Sequence, residues 1–394
     1  MNKPVTPPVS LPDLATFRQR VAAFLDGEMT EAIRSQQPME QGLGPEGRAF
    51  ARKLGATGWL GAGWPIEYGG SGGSIEYEIV LTQEFARRRA CIPNVIARMM
   101  AGPVILARGS ERLKREFLPR IARGEIEFSL GYTEAQAGSD LSALTMAAEE
   151  RDDCYVINGQ KIYQTESHYA DYHWLAVRTS TETASHQGIT LIVVDQKAPG
   201  VTVHPMQTLG GEQTNTVFYD GVRVPKYRVV GECGRGFYYL MEALDRERIL
   251  LVQSASLVPT LRKLVGYTAT ARRRGESIAA DPTVRRRLAR LAVEIAAAHA
   301  LERHAQNLMI AEKPTDYVAS IVKLFASELR QRLAFAALDT LGATARLQPE
   351  SLEAPLNGEI AHLLCASVID TIGAGTSEIL RNVIATRGLS LPRK

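Results

Sequence analysis

The sequence predicts an α+β multidomain chain in three parts: an N-terminal helical domain over 1–127, a small central β-barrel or sandwich domain over 128–238, and a C-terminal helical bundle over 239–394. Three observations carry this expectation. Apolar spacing is mostly helical from Leu14 to about Arg123. Short β-like runs separated by turn residues fill the stretch from Phe128 to Phe237. Long patterns rich in Ala, Leu and Arg then return after Gly236 and run to Arg387. Helices, then a small β domain, then a helical bundle is an uncommon order and narrows the choice of fold.

In the first part, Phe17, Val21, Phe24 and Leu25 fall on one helical face. Trp64-Pro65-Ile66-Glu67-Tyr68-Gly69-Gly70-Ser71-Gly72-Gly73 interrupts the helices, and its four glycines spell a flexible loop. In the second part, Asn158-Gly159 lies between Tyr155-Val156-Ile157 and Gln160-Lys161-Ile162-Tyr163. Asn-Gly tolerates the positive φ of a type I′ turn, so a β-hairpin is expected there. Further strands are expected at Trp174–Arg178, Ile189–Asp195 and Thr216–Val224. In the third part, Pro282 and Pro314 each stand near a helix start.

At 394 residues the chain is too long for one ordinary core and suits two or three domains. Hydrophobic residues at 45% and charged residues at 23% are the balance of a folded, soluble protein. A formal net charge of +3 is small for this length and argues against a dedicated nucleic-acid binder. Cys91, Cys154, Cys233 and Cys365 lie far apart, with no CxxC pair, so reduced structural thiols and no metal site are expected. The proline-rich start MNKPVTPPVSLPDL has no apolar stretch of signal-peptide length, and no run approaches the roughly 18 apolar residues of a membrane helix. A cytoplasmic protein without a membrane partner is the expectation.

Two short patterns fail on context. Gly42-Leu43-Gly44-Pro45-Glu46-Gly47 has the letters of GxGxxG, but the polar residues Ser35–Gln41 before it cannot be the buried strand a dinucleotide site requires. Gly69-Gly70-Ser71-Gly72-Gly73 has the letters of GxSxG, but Trp-Pro-Ile-Glu-Tyr is a poor strand for a nucleophile elbow.

Four segments carry chemistry together. Phe128-Ser129-Leu130-Gly131-Tyr132-Thr133-Glu134-Ala135-Gln136-Ala137-Gly138-Ser139-Asp140 offers small and hydroxylated residues in a turn, able to meet a polar ring edge or a phosphate. By itself it is equally an ordinary connection between elements. The segment closely resembles the acyl-CoA dehydrogenase signature, with Ala135 where proline is usual. Lys161-Ile162-Tyr163-Gln164-Thr165-Glu166 looks like that family's next strand, with Tyr163 where tryptophan is usual. Trp64–Gly70 resembles its F-P-x-E-Y-G-G loop. Ile372-Gly373-Ala374-Gly375-Thr376-Ser377-Glu378-Ile379-Leu380-Arg381 resembles its C-terminal G-T-x-x-[IV]-x-R stretch, where Gly-Thr opens an apolar helix as an N-cap. The four matches stand in family order across nearly the whole chain.

The resemblance implies the acyl-CoA dehydrogenase fold and FAD as cofactor. It also implies removal of two hydrogens across the Cα–Cβ bond of an acyl-CoA thioester, with electron-transferring flavoprotein as acceptor. It places Leu130, Tyr132, Thr133, Gly138, Tyr163, Thr165, Thr376 and Glu378 at the cofactor, Tyr163 over one flavin face and the Thr165 hydroxyl at N5. Ser139, Arg248, Ala374 and Gly375 fall to the substrate, with the Ala374 N–H polarising the thioester oxygen. Such a reaction needs a base for the α-proton opposite a hydride acceptor for the β-carbon.

Many members carry the catalytic glutamate just before the Gly-Thr, where this chain has Ala374. The isovaleryl-CoA dehydrogenase branch has the same I-G-A-G-T-S-E run and takes its glutamate from an L-D-x-E-R motif. Leu244-Asp245-Arg246-Glu247-Arg248 matches that motif at every specified position. The residue spacing agrees. Leu240, Leu244, Glu247 and Leu251 are spaced 4, 3 and 4 apart, so Glu247 lies on an apolar stripe. A carboxylate there is either a base kept partly desolvated or one half of an ion pair with Arg246 or Arg248.

Family homo-oligomers usually carry R-x-x-F-G, whose arginine reaches a neighbouring subunit's FAD, and a glutamine further on. Here the stretch reads Ala271-Arg272-Arg273-Arg274-Gly275, with Pro282 at the glutamine position. The C-terminal Q-x-x-G-G-x-G element is reduced to Asp339-Thr340-Leu341-Gly342. Pro282-Thr283-Val284-Arg285-Arg286-Arg287-Leu288-Ala289 instead resembles bacterial acyl-CoA dehydrogenases of α2β2 type, several of which act on CoA thioesters of steroid side chains. The expectation is a tetramer with a paralogous chain that completes the FAD site. Two other readings stay open: a non-catalytic or half-site subunit of such an assembly, and an acyl-CoA oxidase-like enzyme that passes electrons to oxygen.

Overall fold

The computed structural model describes residues 11–30, 33, 44–90, 92–180, 186–250 and 254–392. Most of the proline-rich start, Cys91, Leu251 and the opening Gly42-Leu43 of the rejected GxGxxG pattern lie outside the described residues. The chain divides into two compact units, one of residues 1–82, 90–208 and 212–246, the other of 83–89, 209–211 and 247–394.

In the first unit, α1 (Leu14–Glu28) opens at Asp13, whose carboxylate accepts from the Ala15 and Thr16 N–H groups at 3.0 Å each. That satisfies two of the donors a helix start leaves free. The helix buries Phe17, Val21 and Leu25, and Phe17 meets Trp59 and Tyr77 edge-on at 5.5 and 5.0 Å. Helices α2 (Pro45–Ala56), α3 (Ile75–Arg87), α4 (Gly102–Arg108) and α5 (Glu111–Ala122) follow.

The loop after Trp64 is tightly held, contrary to the flexible loop expected. Gly72 N–H donates to the Trp64 carbonyl at 2.9 Å and Gly73 N–H to the Ala62 carbonyl at 2.8 Å. A Cβ on Gly70 would fall 2.1 Å from the Trp64 carbonyl oxygen. Glycine is there for close backbone approach, not for freedom of motion. A single 3₁₀ turn, Ile66–Tyr68, precedes the Ser71 segment, so it is no nucleophile elbow.

The β region forms one curled sheet of seven strands: β1 (Phe128–Gly131), β2 (Ala147–Glu150), β3 (Cys154–Lys161), β4 (Tyr172–Arg178), β5 (Ile189–Asp195), β6 (Val201–Gln207) and β7 (Gln213–Pro225). The order is β1-β4-β2-β3-β7-β6, and β5 also pairs with β4. Both β1 and β2 run parallel to β4, and the remaining pairs are antiparallel. Strands β4 and β5 are buried almost end to end, which explains their continuous apolar runs.

The expected hairpin at Asn158-Gly159 does not form. Both residues sit inside β3, which pairs with β7 along its length. The register shifts between Ile157↔Val222 and Gly159↔Tyr219, so Asp220 and Gly221 of β7 oppose Asn158 alone. This is a β-bulge in β7, with Gly221 at φ 60°. The Asn158 side chain accepts from the Gly221 N–H at 2.7 Å. Asn-Gly here answers a bulge in the partner strand, and that partner was invisible to a local reading.

The segment after β1 is bound to the end of β3 by a buried ion pair. Lys161 Nζ lies 2.7 Å from Glu134 Oε1 and also donates to the Tyr132 carbonyl at 3.0 Å. Lys161 is 0% and Glu134 4% exposed. Glu134 further accepts from the Thr145 N–H at 2.7 Å and the Met146 N–H at 2.9 Å. Burial opposes its ionisation, but the Lys161 charge and these donors outweigh burial and hold the carboxyl below its ordinary value.

In the second unit, α6 (Gly236–Leu250) ends, and α7 (Leu257–Thr270), α8 (Pro282–Ile310), α9 (Asp316–Leu341), α10 (Glu359–Asp370) and α11 (Ser377–Val383) follow. Pro282 stands in the first turn of α8 behind an Asp281 cap, and Pro314 just ahead of α9, as expected. Leu264, Leu288, Leu291, Leu329, Leu333 and Ile360 form the unit's core.

Removing one partner of the Glu134–Lys161 pair leaves an uncompensated buried charge. Lys161→Met is therefore expected to destabilise the fold by about 3–5 kcal/mol. Urea unfolding of Lys161→Met and of Lys161→Met/Glu134→Leu measures this, and the double variant should lose less than the single one.

Candidate active site

The structure brings the predicted site residues together as two groups, one in each unit. In the first, the turn after β1 closes on itself, Glu134 N–H donating to the Ala137 carbonyl and Ala137 N–H to the Glu134 carbonyl at 3.1 Å each. Gly138 and Ser139 are exposed beyond it, Leu130 and Thr133 are half-buried, and Tyr132 is buried. The Ile162 N–H donates to the Thr133 carbonyl at 2.9 Å, so the two motif segments adjoin. Tyr163 adopts φ 55° and leaves 61% of its surface exposed. Thr165 Oγ1 lies 3.2 Å from Thr214 Oγ1 of β7. Gln164 and Asn215 lock the same strand ends, Gln164 N–H donating to the Asn215 carbonyl at 2.8 Å and Asn215 Nδ2 to the Gln164 carbonyl at 2.9 Å. Thr214 had no signal in the sequence because its partner lies 49 positions away.

The second group gathers around Glu247. The apolar stripe holds where it is described: Leu240 is 0% and Leu244 6% exposed. Glu247 as a whole is half-buried, yet its Oε2 is fully enclosed and has no hydrogen-bond partner. The ion-pair alternatives go elsewhere. Arg246 pairs with Glu78, and Arg248 Nε donates to the Ala374 carbonyl at 3.1 Å. Burial pushes the Glu247 carboxyl up to about 7, against the opposing pull of the Arg248 and Lys323 charges.

The turn facing these groups is left-handed at two successive residues, Ala374 at φ 54° and Gly375 at φ 96°. For alanine this costs about 1–2 kcal/mol. Glycine at 375 suits this φ, and a Cβ there would also press on Arg248 Nη2 at 3.1 Å. Lys323 Nζ donates to the Gly375 carbonyl at 2.7 Å. Thr376 caps α11, its Oγ1 accepting from the Ile379 N–H at 3.2 Å, and Glu378 is exposed in the first turn. Glu247, Lys323, Gly373 and Ala374 line one cavity of about 310 Å³, together with Ser254, Ser327 and Ile369.

Lys323 was missed by the sequence reading. A lysine inside the apolar run Ile321-Val322-Lys323-Leu324-Phe325-Ala326 is the signal that could have found it. It is 3% exposed, and burial lowers its ammonium to about 8. Among the described residues no group of three or more His, Cys, Asp or Glu side chains could hold a metal ion.

Comparison with known proteins adds the remaining piece. The family pattern "Acyl-CoA dehydrogenase, N-terminal domain" matches residues 12–125, the middle domain 129–222 and the C-terminal domain 234–389. The chain is 35% identical over 384 residues to acyl-CoA dehydrogenase FadE26 of Mycobacterium tuberculosis, covering 96% of each. Among solved structures, it is 32% identical to a chain of the ChsE4-ChsE5 complex from Mycobacterium tuberculosis, with TM-score 0.87 and 100% of each chain covered. It is 35% identical to a chain of the Tcur3481-Tcur3483 steroid ACAD, with TM-score 0.87, 98% of this chain and 100% of that one covered. With matches of this kind laid over 12–389, the chain belongs to the acyl-CoA dehydrogenase family, enzymes that use FAD to dehydrogenate acyl-CoA thioesters.

Proposed function

We propose that Glu247 is the base that takes the α-proton of the acyl-CoA, and that the acyl group is a steroid side chain or similarly branched. The observation that carries this is the enclosed, partnerless Oε2 of Glu247 beside the Ala374 turn in one cavity. A carboxyl poised near 7 is close to the ideal for a base at neutral pH, where correct ionisation and proton affinity are balanced. Ala374 itself has no group to accept a proton, so it contributes backbone. Holding the Ala374 carbonyl at Arg248 directs the Gly375 N–H of the same planar peptide the opposite way. The Ala374 and Gly375 amides are the proposed donors to the thioester oxygen, and Ser139 a substrate contact.

FAD, when bound, supplies the hydride acceptor. The proposed contacts are Leu130, Tyr132, Thr133, Gly138, Tyr163 and Thr165 in the β unit, with Thr376 and Glu378 in the helical one. The fit rests on an aromatic ring that its own chain leaves exposed at Tyr163, two positions from a hydroxyl at Thr165. We keep 1–127, 128–238 and 239–394 as the proposed domains. Cys154, Cys233 and Cys365 are free thiols, which supports a reducing, cytoplasmic setting. The steroid reading is supported by the Tcur3481-Tcur3483 relative, whose name specifies a steroid enzyme.

A paralogous partner in an α2β2 assembly is part of the proposal, with electron-transferring flavoprotein as acceptor. Two similar solved structures are named as two-component assemblies. Two of the three arginines at the altered R-x-x-F-G stretch, Arg272 and Arg273, also bond within the chain. They form a small hairpin, Arg272–Arg273 against Glu276–Ser277, turned by Arg274 at φ 54° and Gly275 at φ 88°. Arg272 Nη1 donates to the Gly275 carbonyl at 2.9 Å, and Arg273 Nη2 to the Thr340 carbonyl at 2.5 Å.

Glu247→Gln should lower kcat by roughly 10²–10⁴ while FAD content stays normal. Unchanged turnover would instead support the non-catalytic subunit, and peroxide formed in air without another acceptor would support the oxidase. A base works deprotonated, so kcat/KM should climb with pH through about 7, the value to which burial raises Glu247. An acid limb at the ordinary 4.5 would contradict the assignment. Expressed alone the chain should retain little FAD, and co-expressed with its paralogue it should carry stoichiometric FAD. A fully loaded homotetramer would overturn the partner.

A further inference from the structure

We propose that Lys323 is a positioning residue that acts on both halves of the site, holding the 374–375 turn through the Gly375 carbonyl and favouring the ionised form of Glu247 across the shared cavity. This rests on the base assignment above and adds to it a residue on a different helix, α9.

Three observations carry the inference. The first is the bond itself. Lys323 Nζ donates to a neutral carbonyl, that of Gly375, at 2.7 Å. A lysine that is only 3% exposed ordinarily needs an anion, because burying an ammonium without one is costly.

The second is the commitment of the acids around it. Asp370, Glu247 and Glu328 all act on the Lys323 charge. Asp370 is held by Arg330 at 2.7 Å, and Glu328 by Arg381 at 2.7 Å. Glu247 has an oxygen with no partner. The charges acting on Glu247 are Arg248 and Lys323, and both favour its ionised form. Within this group, ionised Glu247 is therefore the anion not already spent on an arginine.

The third is the shape of the turn. Two successive left-handed residues, one of them alanine, need external restraint to persist. Arg248 holds the first carbonyl and Lys323 the second, from two different helices. Since each peptide is planar, holding the Gly375 oxygen also fixes the direction of the Thr376 N–H. A salt link in the core would explain burial of Lys323, but it would not place the ammonium on the carbonyl of this turn.

The two effects separate by substitution in the co-expressed, FAD-loaded complex. Lys323→Gln keeps a donor for the Gly375 carbonyl and removes the charge. The acid limb of kcat/KM should then move up by about one pH unit or more, with the plateau kcat falling less than it does in Lys323→Met. Lys323→Met removes donor and charge, so the limb should move equally and the plateau kcat should fall as well. Lys323→Arg restores both and should return the limb to its wild-type place. Thermal melts confirm that each variant is folded. Limbs unmoved in folded Lys323→Gln and Lys323→Met would overturn the electrostatic role, and equal plateaus in those two would overturn the role at the turn.

A substrate-free measurement separates this inference from the base assignment. The Glu247 carboxylate band, followed by pH-difference infrared spectroscopy with Glu247→Gln as the blank, should titrate higher in Lys323→Gln than in wild type. If wild type oxidises no acyl-CoA, the functional reading fails, but this comparison still decides whether Lys323 sets the ionisation of Glu247.

Discussion

A carboxylate enclosed without a donor is hard to ionise, and the C-terminal unit is arranged around that constraint at Glu247. Its helix leaves the side chain on an apolar stripe, so water cannot solvate Oε2. Two cations act on it, and each also donates to a backbone carbonyl of the neighbouring turn, Arg248 to Ala374 and Lys323 to Gly375. A direct ion pair would have held the carboxyl low and left it a poor base. Burial pushes the carboxyl up, and the two charges offset that only in part, which leaves it at about 7. The same two bonds maintain the strained turn, so proton affinity and amide direction share one set of supports.

The β unit meets a different constraint. Its two motif segments are short, polar and partly exposed, and neither has enough apolar surface to stay put by burial alone. The Glu134–Lys161 pair supplies the missing anchor, joining the turn after β1, the strand β3 and the Thr145-Met146 backbone in one buried node. Every oxygen of that carboxylate is occupied, which is what makes a buried charge tolerable. The neighbouring Tyr163 can then sit in a left-handed conformation with its ring uncovered, because the residues on either side are fixed.

The legible parts of this protein were those whose cause is local. Helical spacing at Phe17, Val21 and Leu25, the proline starts near 282 and 314, and the apolar stripe at Glu247 all depend on neighbours within two turns. The relation of the base to Ala374 was approached through motif resemblance, since 127 positions separate them. Lys323 was silent because its partner carbonyl lies 52 positions on. Asn158-Gly159 misled for the same reason: a turn dipeptide is also a good partner for a bulge, and which one forms depends on a strand some sixty residues later. The glycines at 69–73 misled in a second way, since small size can serve crowding as well as mobility.

The bulge in β7 also sets the reading frame of that strand. Val217 and Tyr219 face the core at odd positions, whereas Val222 and Val224 face it at even ones. Asp220-Gly221 absorbs the slip. Losing either residue would turn the second valine pair toward water and send Arg223 inward, as a frameshift scrambles everything downstream of it. The first half of the strand, which presents Thr214 to Thr165, would keep its phase. Length at this point is therefore constrained more strictly than residue identity, and chains descended from a common ancestor can vary what stands at 220 far more freely than how many residues stand there.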